Sequence, residues 1–180
     1  MQMIIKKVLL LFLMFSFFVL AQNSVSIGSK LGSGIIKGNS PNQGSYFTSI
    51  FIDIPTPLSK IIIPRFSFIY AQDFDKLLPN NSDDYHSFVK GFSISAVITQ
   101  DLKNNFYLEE SAGLLALNDR IFSNNSTWGY GTVFSLLGGL DLRKESKKGI
   151  RIGLGLENGF TFSNTLVKYF SVYFQVQVIL

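Results

Sequence analysis

Beyond Ala21 the chain is written in alternation: apolar and polar side chains take turns with a period of two, in runs of about 9–13 residues, the span that a tilted transmembrane strand needs. The first run, Ser24 to Ile35, puts Val25, Ile27, Leu31 and Ile35 on one face and Ser26, Gly28, Lys30, Gly32 and Gly34 on the other. Tyr46–Pro55, Ile61–Tyr70, Ser87–Thr99, Asn105–Leu117, Gly129–Leu140 and Ile150–Asn158 repeat the pattern. Lys168–Leu180 is the most regular, with Phe170, Val172, Phe174, Val176, Val178 and Leu180 against Tyr169, Ser171, Tyr173, Gln175 and Gln177. Adjacent strand residues point to opposite faces, so eight such segments predict eight half-apolar strands.

The connections alternate too. Ile36–Ser45, Ala71–His86 and Asn118–Trp128 are long and rich in Asn, Asp and Ser, whereas Thr56–Lys60 and Gln100–Asn104 are short. An up-and-down transmembrane barrel has long loops outside and tight turns on the periplasmic side. Asp141–Gly149 is long for such a turn, and the loop near Ser163–Thr165 is short for an outer one.

Alternation alone also suits a soluble sandwich or a lipocalin-like barrel. Composition decides between them: charged residues are 16% of the chain, against about 25% in ordinary soluble domains. Too few charges exist to solvate eight strand exteriors, and the polar face is mostly Gly and Ser, which suit a narrow, crowded interior. The apolar face therefore turns outward to lipid. Tyr46, Tyr70, Trp128 and Tyr130 fall at strand ends beside long loops, where an aromatic girdle belongs.

The first residues have a different pattern. Lys6 and Lys7 precede an apolar run from Val8 to Ala21 broken only by Ser16, and Val19-Leu20-Ala21 fits a small-residue cleavage site. This predicts a secretory signal peptide over 1–21, leaving a barrel domain over 22–180; the run is shorter than the roughly 20 residues a spanning helix requires. No Cys follows it, so lipoprotein processing is excluded. The mature chain keeps 14 of the 16 basic residues against 12 acidic ones, a balance too even for nucleic-acid binding.

Signal peptide, eight alternating segments and an amphipathic last strand together resemble the small eight-stranded outer-membrane barrels, the OmpA transmembrane domain and OmpX-like proteins among them. The resemblance implies an all-β, eight-stranded antiparallel barrel in the outer membrane. It also implies outer-membrane lipid and the barrel assembly machinery as partners, and surface loops that meet an extracellular ligand or protein. Members commonly end in an aromatic residue; this chain ends Val178-Ile179-Leu180. A monomer without cofactor is expected.

Candidate chemistry is sparse. Lys30, Asp53, Arg65, Glu109, Arg151 and Glu157 are the charged residues on the inward face, and buried charges survive only when paired. They predict a salt-bridge network that fills the lumen, with a polar path through a narrow pore, or a conduit for small or apolar molecules, as the alternative. Glu110 breaks the pattern: alternation sends it towards lipid unless it lies near the periplasmic rim or a bulge shifts the register. His86 is the sole histidine. Lipid A deacylases resemble this architecture and use Ser, His and an acid; His86 and Ser87 are neighbours on opposite faces and cannot form that pair, so a lipid-modifying esterase stays an alternative only through a different serine across the barrel, which the sequence does not identify. Neither Asp83-Asp84 nor Glu109-Glu110 can flank a glycosidic bond from both sides. Gly153-Leu154-Gly155 lacks the helix a nucleotide-binding loop needs, and Gly129-Tyr130-Gly131 reads as strand glycine relieving interior crowding.

Overall fold

A computed structural model describes residues 24–38, 42–56, 59, 61–77, 87–119, 127–143, 148–162 and 166–180. The proposed signal peptide, His86 and the Asp83-Asp84 pair lie outside the described residues. Eight strands form in chain order: β1 Ser26–Lys37, β2 Gln43–Asp53, β3 Ile62–Asp73, β4 Phe88–Asp101, β5 Phe106–Asp119, β6 Thr127–Asp141, β7 Gly149–Thr161 and β8 Lys168–Ile179. Each pairs antiparallel with its sequence neighbours, and β1 pairs with β8 to close the barrel. The eight-stranded antiparallel architecture expected from the alternation is the one observed.

Register sets the barrel's shape. From Ser26 the cross-strand partners run through Asp53, Arg65, Ser95, Gly113, Val133, Gly159 and Tyr169, and the path returns to β1 at Ile36, ten residues further on. That stagger over eight strands places the tilt near the steep end of the roughly 35–45° range of such barrels. It also leaves an interior that side chains can fill.

The strands run further than the apolar segments. β1 continues to Lys37, β2 begins at Gln43, β3 reaches Asp73 and β5 reaches Asp119, all within what the polarity pattern assigns to long loops. Backbone pairing ignores side-chain polarity, so the ladder continues past the apolar band until a turn ends it. The loop asymmetry is correspondingly weaker than expected: 38–42 at one end is shorter than 54–61 at the other. At the turn end, β4 and β5 are joined through Asn104 and Asn105, both at positive φ (60° and 63°). Asparagine is among the few residues that tolerate this left-handed pair, which matches the twist of a tight hairpin.

Alternation sorts the side chains as expected, apolar outward, but the interior differs from a uniformly small and polar one. Ile36, Phe47, Ile69, Ala71, Val89, Leu115, Leu117, Val133 and Tyr169 are buried together inside the loop-side half. These sit at inward positions that a search for polar residues passes over. Glu110 is outward and exposed; β5 carries no bulge there, and Glu110 pairs in regular register with Ile98 and Leu136, four residues into the strand. A bulge does not account for it; Glu110 lies toward the turn end of β5.

Glycines and rings fill the interior as cross-strand pairs. Tyr173 lies opposite Gly155, Tyr169 opposite Gly159, Tyr107 opposite Gly139 and Phe51 opposite Gly28. A Cβ added at Gly155 would stand 2.7 Å from both Cζ and Oη of Tyr173 and 2.8 Å from the Leu136 carbonyl oxygen. The ring therefore occupies the volume that a side chain on the neighbouring strand would take. Gly155→Val should lower the stability of the barrel by the roughly 1–3 kcal/mol typical of overpacking, read as a lower urea midpoint, and Tyr173→Ala in the same chain should recover part of the loss.

Candidate functional site

The chemistry-bearing residues converge in the turn-side half of the interior. Asp53 on β2 and Arg65 on β3 are direct cross-strand partners. Ser95, facing Arg65 from β4, is small, so the guanidinium reaches across it to Glu109 on β5. Both of its edges are used. Arg65 Nε and Nη2 donate to Asp53 Oδ1 and Oδ2 at 2.6 and 2.9 Å, and Nη1 and Nη2 donate to Glu109 Oε1 and Oε2 at 2.6 and 3.1 Å. The fork geometry matches two carboxylates at once, which a lysine could not do. Gln177 Nε2 donates to Asp53 Oδ2 and to Ser26 Oγ, each at 2.7 Å, and the Phe51 ring lies 3.9 Å from Arg65 Cζ.

A second pair sits nearer the loops. Lys30 Nζ donates to Glu157 Oε2 at 2.6 Å, reaching from β1 over β8 to β7, and Tyr169 Oη donates to Glu157 Oε1 at 2.6 Å. The ammonium also lies 4.6 Å from the Tyr173 ring centroid, where the electron-rich face attracts it. Above this pair, Phe47 stacks on Tyr169 at 5.8 Å and the apolar half of the interior begins.

All six charged residues named above are buried and inward, with Arg65 and Glu109 at 1% exposure, but they do not form one network. Arg151 stands apart at the turn-end mouth, where its Nε donates to Asp141 Oδ2 at 2.8 Å and its Nη2 to Asp101 Oδ1 at 3.3 Å. Arg143 folds back onto Asp141 as well, with Nε 2.8 Å from Oδ1; this hydrogen bonding raises the Arg143 guanidinium above its ordinary range. The segment pattern leaves Asp101, Asp141 and Arg143 in connections. Extending β4 and β6 with unchanged parity would have turned both aspartates inward.

Among the described residues the interior ion pairs join each cation to a carboxylate, and no three His, Cys, Asp or Glu side chains converge as a metal site. The arrangement holds strands together. Removing one member of a buried pair strands the other's charge and costs about 3–5 kcal/mol. Arg65→Met should therefore lower the stability of the refolded barrel by about that much, and adding Asp53→Asn and Glu109→Gln should recover most of it. Urea titration followed by the single tryptophan, Trp128, reads both; equal loss in single and triple variants would show that the guanidinium acts through packing instead.

No protein-family model matches the chain, and no curated protein is similar to it in sequence. Solved structures are similar in fold. Neisserial surface protein A superposes with a TM-score of 0.65 at 7% identity, over 87% of this chain and 97% of that one. Ail, the attachment invasion locus protein of Yersinia pestis, superposes with a TM-score of 0.53 at 10% identity, over the same shares of the two chains. A second Ail structure, in complex with the heparin analogue sucrose octasulfate, gives 0.51 at 11% identity over 87% of this chain and 97% of that one. Together with the closed register, these place the chain in the fold of the small eight-stranded outer-membrane β-barrels.

Proposed function

We propose that the chain is an integral outer-membrane protein, exported by a cleaved signal peptide over 1–21, that acts as a rigid platform for surface contact. The observation that carries the membrane placement is the inverted distribution of polarity. Leu31, Ile50, Leu114 and Leu154 are each more than 60% exposed on the outward face, while Lys30, Arg65, Glu109 and Glu157 are almost fully buried. A continuous apolar exterior of this extent is untenable in water and is what hydrocarbon demands. Tyr46, Tyr70, Trp128 and Tyr130 ring the loop-side edge of that exterior, as interfacial aromatics do.

The filled interior supports a platform over a pore. Two tiers of ion pairs and an apolar layer occupy the lumen, so the surface left for recognition is the loop end. Surface exposure and attachment, named in the descriptions of the two structural neighbours, are consistent with contact through those loops. The barrel functions as a monomer in lipid, delivered by the assembly machinery, with an extracellular ligand or protein as its partner.

Two measurements test this reading. Expressed in a Gram-negative host, the protein should fractionate with the outer membrane, lack residues 1–21, and migrate differently on SDS gels when unheated than when boiled; recovery as a soluble periplasmic species with a single migration overturns the placement. In planar bilayers the wild-type protein should give no steady conductance, whereas a double Lys30→Ala, Arg65→Ala variant that still folds should leak. Conductance in the wild type would favour the pore.

A further inference from the structure

The outward face carries few ionisable groups, and their placement is uneven. Within the described strands, Lys37, Lys90 and Lys168 point outward close to the loop end, and the outward acid, Glu110, lies toward the turn end. Lys37 and Lys168 are direct cross-strand partners on β1 and β8. Like charges face to face on a ladder destabilise the pairing, and among the described residues neither ammonium forms an ion pair with a carboxylate.

The surroundings of the two lysines form a seat. One step toward the barrel's middle, Ile35 pairs with Phe170, and Phe170 pairs on its other side with Asn158 of β7. These side chains and the lysines line a depression of about 220 Å³. Asn158 is exposed there, an amide in a position that alternation otherwise gives to apolar residues. Below it the outward surface continues through Leu156, Val172 and Leu154. From the loops downward the order is two cations, one amide, then an apolar wall along β7 and β8, broken on β1 by the outward hydroxyls of Ser33 and Ser29.

That order matches an amphiphile with an anionic head. We propose that the seam of β7, β8 and β1 binds a lipid with a phosphate-bearing headgroup, the phosphate lying between Lys37 and Lys168. The Asn158 amide serves the polar linkage beneath it, and an acyl chain descends over Ile35 and Phe170. The proposal rests on the membrane placement argued above. The bound phosphate turns a repulsive lysine pair into a bridged one, and positive charge near an anionic lipid surface is attracted to it.

The test uses the full mature chain folded in detergent, mixed with phosphatidic acid or phosphatidylcholine and analysed by native mass spectrometry. Wild type should retain phosphatidic acid in preference to phosphatidylcholine. The double variant Lys37→Gln, Lys168→Gln should lose roughly 25-fold in apparent affinity, about fivefold for each lysine, while Lys103→Gln at the turn end changes nothing. Excess inorganic phosphate should not displace the lipid. Equal retention by wild type and the double variant overturns the proposal, and displacement by inorganic phosphate assigns the seat to a free anion instead. Heat-modifiable migration, followed in every variant, reports on the membrane barrel separately, so failure of the lipid seat and failure of the placement are distinguishable.

Discussion

Everything in this molecule follows from the need to close the sheet. A strand bordering hydrocarbon cannot leave an N–H or C=O unpaired without a cost of several kcal/mol for each group. β1 and β8 meet that demand along the whole of β1, from Ser26 with Ile179 to Lys37 with Lys168. Closure in this register fixes the ten-residue stagger, the stagger fixes the tilt and radius, and the radius decides how much side-chain volume the interior must take. Neither charge nor hydrophobicity chooses that volume; the backbone does.

The interior answers this constraint by dividing the lumen into two chemistries. Toward the loops it packs like an ordinary protein core, with Phe47 on Tyr169 among aliphatic neighbours. Toward the turns it holds ions on side chains long enough to skip a strand: Arg65 reaches over the small Ser95 to Glu109, and Lys30 reaches past Gln175 to Glu157. The cross-strand glycines belong to the same economy of space. Each ring that leans inward from one strand has a residue without a side chain beside it on the next.

How much of this was legible beforehand depended on what repeats. Strand number, facing and the inward set Lys30, Asp53, Arg65, Glu109, Arg151 and Glu157 follow from period-two alternation, because parity survives any tilt. Partners do not follow, since Arg65 meets Glu109 only through a register that joins residues far apart in sequence. Strand ends do not follow either, for a related reason: Asn118 and Asp119 look like loop residues but lie in the ladder opposite Trp128 and Thr127. The apolar half of the interior is hard to read from the sequence because Phe47, Ile69 and Leu117 resemble outward residues in kind, and parity alone tells them apart. The resemblance to small outer-membrane barrels carried the architecture correctly and carried no residue of the interior, as expected at 7–11% identity to structures of the same fold.

The two long-reaching ion pairs have a mechanical meaning beyond their energy. A hydrogen-bonded wall resists being pulled apart along its circumference but yields easily to squeezing, because a circle can flatten to an ellipse without breaking a ladder bond. Arg65 to Glu109 spans β3 to β5, and Lys30 to Glu157 spans β1 to β7. Each is a chord across the tube, on different sides and at different heights. Like spokes, they hold the cross-section round, so that in the proposed membrane setting lateral pressure reaches the loop end as little change of shape.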